Sequence, residues 1–74
     1  MTPRPPVTIR PAGPGRVLVA GAPRSALQTI ASGHRLRWEA ERRGWLLPAE
    51  QVAAVVDWAR RAGRAVEVIE EVRG

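Results

Sequence analysis

Acid–base or nucleophilic chemistry would have to run through very few side chains in this sequence. Among its 74 residues the only histidine is His34, and there is no cysteine, lysine or tyrosine. A Ser-His-acid set would need Ser25 or Ser32 beside His34, and the spacing does not support that geometry. One histidine cannot build a His-rich metal site, and Glu39, Glu41, Glu70 and Glu71 lack the spacing of a calcium loop. Gly13-Pro14-Gly15 and Gly21-Ala22-Pro23 look like phosphate-cradling loops, yet neither GxGxxG nor GxxxxGK[ST] occurs, and Pro14 and Pro23 remove N–H donors that such a loop requires. They read as turns. The expectation is a protein that is not an enzyme and uses no metal or cofactor.

What remains is arginine. All twelve basic residues are Arg, and the net charge of +5 is unevenly spread: residues 1 to 48 hold eight arginines against Glu39 and Glu41, while the remaining segment is slightly acidic. Such an excess favours polyanionic partners, because each neutralised phosphate releases counterions. Codon usage in a G+C-rich genome supplies the same arginines without function, in keeping with the absence of Lys, Asn, Phe and Tyr. Trp38 and Trp45 could stack on bases, but with no other large ring in the chain they are expected in the core. Trp58 falls about 100° from the centre of its helix's apolar stripe, a position suited to marginal packing or to contact with a partner.

The elements that must position these residues follow from periodicity and turn chemistry. Pro3, Pro5 and Pro6 make the first six residues a Pro-rich, flexible tail, ahead of a single domain over 7–74. Val7-Thr8-Ile9-Arg10 and Arg16-Val17-Leu18-Val19-Ala20 read as strands flanking a Gly/Pro loop. Ser25-Ala26-Leu27-Gln28 fits a capping box opening a short helix that Gly33 would stop. Leu36 and Trp38 alternate with Arg35, Arg37 and Glu39, and Trp45 and Leu47 with Leu46, which predicts a hairpin whose four-residue loop opens at Ala40 or Glu41. Pro48 suits a first helical position, and Val52, Val55, Val56, Ala59 and Ala62 form one stripe before Gly63 ends that helix. Ala65 to Val72 reads as a closing strand.

The order ββαββαβ is that of an α+β domain: a ferredoxin-like βαββαβ arrangement plus an N-terminal strand, with an antiparallel sheet and both helices on one face. Leu36, Trp38, Trp45 and Leu47 would then meet the helix stripe as core. Thr8, Arg10, Arg16, Leu18, Arg35, Arg37, Leu46 and Glu67 would face outward, giving four arginines on one open sheet face. The RRM shares this element order, but its aromatics on the open face are missing here. A chain this short buries about 60% of its unfolded surface. The longest apolar run, 17–22, cannot span a bilayer, and Met-Thr-Pro-Arg-Pro-Pro lacks a signal's apolar segment, so the expected setting is cytoplasmic, with no membrane partner. Glu67, Glu70 and Glu71 on the closing strand predict a monomer or weak homodimer.

The segment His34-Arg35-Leu36-Arg37-Trp38-Glu39-Ala40-Glu41-Arg42-Arg43-Gly44-Trp45-Leu46-Leu47-Pro48, with a short helix before it and a Val-rich helix after it, resembles the small HARP-like domains of annealing helicases and related bacterial and phage helicases. There a basic-aromatic strand, an Arg- or Lys-rich turn and a Trp-x-x-Pro step recur. The resemblance covers roughly residues 16–63. It implies an accessory module that binds branched or single-stranded DNA, with Arg35, Arg37, Arg42 and Arg43 at the matching positions. No helicase motor follows, so any ATP-driven activity is expected to belong to another chain. Two functions emerge: a DNA-binding module using Arg10, Arg16, Arg35, Arg37, Arg42 and Arg43, or an adaptor or inhibitor that docks on an acidic protein surface, with Trp58 as a partner-binding candidate.

Overall fold

Alternating apolar and polar residues become strands, and the valine stripe becomes a helix, in a computed structural model that describes residues 5–32 and 36–69. In chain order these are β1 (Val7–Pro11), β2 (Arg16–Ala20), α1 (Arg24–Ala31), β3 (Arg37–Glu39), β4 (Gly44–Pro48), a 3-10 turn (Ala49–Gln51), α2 (Val52–Arg61) and β5 (Val66–Val68). The order ββαββαβ and the α+β class are as the sequence implies. One sheet holds all five strands in the order β3-β4-β2-β1-β5. Each helix is the crossover of a split βαβ unit: α1 carries the chain from β2 past β4 to β3, and α2 carries it from β4 past β2 and β1 to β5.

The sheet departs from a wholly antiparallel one at a single seam. β5 pairs with β1 in parallel, Val7 opposite Val66 and Ile9 opposite Val68, while the other three pairings are antiparallel. The reason is topological. β1 and β4 both run opposite to β2, and a helical crossover returns β5 in the direction of β4, so β5 meets β1 pointing the same way.

Period-two patterning decides the faces. Val7 and Ile9 of β1, Val19 of β2 and Leu47 of β4 join Leu27 and Ala31 of α1 and Val55 and Ala59 of α2 in one buried cluster, so both helices cover the same side. Val17, Leu36, Trp45, Val52, Val56, Trp58 and Val66 pack around it, half-buried. Trp38 departs from the expected core quartet. It points to the helix side but is 50% exposed, because β3 is the outermost strand and the eight-residue α1 buries Leu27 and Ala31 nearer the middle.

Several boundaries differ from the sequence reading. Ser25 is not the cap of α1; Pro23 stands in extended backbone before Arg24, its carbonyl accepts from the N–H groups of Ala26 and Leu27, and no side chain caps the helix. Ser25 instead lies in the first turn, its carbonyl accepting from the Thr29 hydroxyl at 3.1 Å. The left-handed residue after α1 is Ser32, at φ 33, and Gly33 lies outside the described residues. Pro48 closes β4 and precedes the 3-10 turn rather than opening α2. Gly63 does stop α2, at φ +70: its N–H donates to the Arg60 carbonyl and that of Arg64 to Ala59, the paired bonds of a Schellman motif, which leaves Ala62 exposed at the helix end rather than in the buried stripe. β5 is shorter than expected, its predicted continuation from residue 70 lying outside the described residues, as do residues 1–4 of the predicted tail.

Arg64 is a structural residue that the sequence reading passed over. Its Nη2 donates to the carbonyl of Pro5 at 2.7 Å and to that of Gly21 at 2.6 Å, binding the approach to β1 and the turn after β2 to the end of α2. Its buried Nε has no partner among the described residues.

Candidate functional site

The face of the sheet turned away from the helices carries the arginines. Register sets them out in rows. Arg37 of β3 lies opposite Leu46 of β4, Leu46 opposite Leu18 of β2, and Leu18 opposite Arg10 of β1. Arg16 stands opposite Pro48 in the adjoining row. Arg10, Arg16 and Arg37 are all exposed, and with strands about 4.8 Å apart and a two-residue offset along them Arg16 and Arg37 lie about 12 Å from each other. A cleft of about 540 Å³ opens at this end, lined by Arg16, Arg37, Leu46 and Pro48 among others. Leu18, although on the uncovered face, is only 2% exposed, and it owes that burial in part to Gly44, where a Cβ would stand 2.8 Å from Leu18 Cγ.

The opposite end of the same face is acidic. One residue pair beyond the arginine row, Glu39 lies opposite Gly44 on one side, and Thr8 lies between Ala20 and Glu67 on the other. The face therefore has arginines at one end and carboxylates at the other, with small residues between the carboxylates.

Arg42 and Arg43 are exposed at the tip of the β3–β4 hairpin, whose four-residue loop opens at Ala40, and Arg43 takes the left-handed conformation at φ 52. The strand register inserts Glu39 between this tip and the Arg37 row, so the candidate arginines form two groups rather than one strip. Arg35 and His34 lie outside the described residues. Trp58 is half-buried and packs against the core from its margin.

A further cluster sits on the helix side of the hairpin. The rings of Trp38 and Trp45 meet edge to face, centroids 5.0 Å apart and planes at 62°, and the Arg24 guanidinium carbon lies 5.8 Å from the Trp45 centroid. Sequence reasoning missed Arg24, since nothing local distinguishes the first residue of a short helix from any other surface arginine; only the crossover of α1 brings it to the hairpin. Among the described residues the ion pair joins Arg61 to Asp57 within α2, at 2.9 Å, and none involves Arg10, Arg16, Arg24, Arg37, Arg42 or Arg43. The chain matches no family model, no curated protein and no solved structure.

Proposed function

We propose that this chain is a small, non-catalytic DNA-binding module of the cytoplasm, without metal or cofactor, that holds its ligand through arginine–phosphate contacts. The observation that carries this reading is the convergence of Arg10, Arg16 and Arg37 at one end of an uncovered sheet face, exposed and without carboxylate partners among the described residues. Charge-assisted bonds from such groups are strong where the acceptor is a phosphate, and they position a backbone without reading sequence. Arg42 and Arg43 add charge at the hairpin tip, and the resemblance of residues 16–63 to HARP-like domains points the same way.

A second reading rests on Glu39 and Glu67. Carboxylates on the same face would repel a phosphate backbone that ran the length of the strands, whereas a protein surface with both signs of charge, mainly acidic, would complement the whole face.

Salt-titrated binding to single-stranded, duplex and forked DNA separates the two. The double variant Arg16→Gln/Arg37→Gln is expected to weaken binding to all sequences alike and to reduce the salt slope by roughly two phosphate contacts, while Arg60→Gln/Arg61→Gln on α2 changes little. Equal losses from both pairs would reduce the effect to net charge. No binding by the unaltered protein at low salt would remove the DNA reading in favour of the acidic protein partner.

A further inference from the structure

The Trp38–Trp45–Arg24 cluster has no role in the phosphate contacts just described, and its geometry is specific. Trp38 is half exposed on an edge strand that α1 does not cover. Its edge-to-face contact with Trp45 supports the ring at the sheet margin, and the Arg24 guanidinium lies over the inner ring. The exposed indole thus rests on Trp45, whose ring Arg24 approaches, and Arg42 and Arg43 lie four and five residues on, beside Glu41, at the tip of the same hairpin. A scattered exposed apolar residue needs no explanation. An exposed indole held against a second ring, with the guanidinium groups of Arg42 and Arg43 at the tip of its own hairpin, matches a ligand that combines a flat apolar plate with regularly spaced negative charge.

We infer that Trp38 is a stacking platform for an unpaired base of a single-stranded nucleic acid whose phosphates pass Arg42 and Arg43 at the hairpin tip. This rests on the nucleic-acid reading above and refines it to unpaired strands. The face of a base is available only outside a duplex, and stacking on an aromatic ring accepts any base. The platform lies on the helix side of β3, the face of the sheet opposite to that of Glu39 and Glu67.

Fluorescence anisotropy with labelled oligo(dT), an abasic strand of equal length and a blunt duplex tests the assignment, with oligo(U) as the arm that distinguishes the sugar. Trp38→Ala is expected to weaken oligo(dT) binding about 5- to 100-fold with an unchanged salt slope, to leave the abasic strand and the duplex unaffected, and to be rescued by Trp38→Phe. The same dependence on Trp38 is expected for oligo(U) if RNA is the tighter ligand. Arg42→Gln/Arg43→Gln is expected to weaken oligo(dT) and the abasic strand equally. Circular dichroism melts confirm that each variant is folded. Oligo(dT) binding that is indifferent to Trp38, or an equal loss on the abasic strand, would overturn the platform while leaving a phosphate-binding module in place. No binding of any strand by the unaltered protein would remove both.

Discussion

Single glycines decide more here than their number in the sequence suggests. Gly21 takes φ +86, and a Cβ there would stand 2.5 Å from the Pro6 carbonyl oxygen. Gly15 is also left-handed, at φ +68, but a Cβ would meet nothing within 4 Å. The two substitutions should therefore separate. Gly15→Ala is expected to cost about 1 kcal/mol from backbone strain alone, and Gly21→Ala about 3 kcal/mol, since it also displaces the segment whose carbonyls hold Arg64. Urea denaturation of both variants checks this, and equal midpoints would contradict it. Gly44 works differently: its conformation is ordinary, and its value is the space it leaves for Leu18 beneath the open face. Leu18 was legible as an outward residue from alternation, but its burial was not, because nothing local announces that a cross-strand glycine will make room for it.

At the scale of elements, patterns that repeat were readable and features that terminate were not. Alternation in Val7–Pro11, the β-branched run in Arg16–Ala20, and the Val52, Val55, Val56 and Ala59 stripe each offer several residues that agree, so strands and helix face were set before tertiary structure entered. A cap rests on one or two residues, and Pro23 took the role for which Ser25 was the local candidate, while a left-handed Ser32 follows α1 one residue before Gly33, which lies outside the described residues. The tryptophans failed for a related reason. Alternation correctly put Trp38 and Trp45 on the helix side, but whether a helix covers the outermost strand depends on the span of α1 and on strand order, which no local pattern encodes. The centre of the core is consequently aliphatic. Leu47→Ala is expected to cost about 3 kcal/mol and Trp38→Ala about 1 kcal/mol, measured by chemical denaturation. A reversal of that order would mean that Trp38 is covered in solution.

For the whole molecule, the two sheet edges bear on association. β3 and β5 are three residues each; β3 carries Arg37 and Glu39, and β5 carries Glu67. Short charged edges are poor templates for pairing with another chain. Sedimentation velocity is expected to show a monomer at micromolar concentration, and a stable higher oligomer would contradict it. The arginine groups also acquire meaning only at this scale. Arg16 and Arg37 are distant in sequence and become neighbours across β4, whereas Arg37 and Arg42, close in sequence, are parted by Glu39.

The parallel seam between β1 and β5 joins strands nearly sixty residues apart. β1 meets β2 across a short turn, but its other edge is covered only when β5 returns to it, and that closure spans the longest loop the fold contains. Arg64 clamps that closure. Bound to the Pro5 and Gly21 carbonyls, it holds the end of α2 at the mouth of β1, where Val7 donates to the Ala65 carbonyl at 2.9 Å as the first rung of the seam.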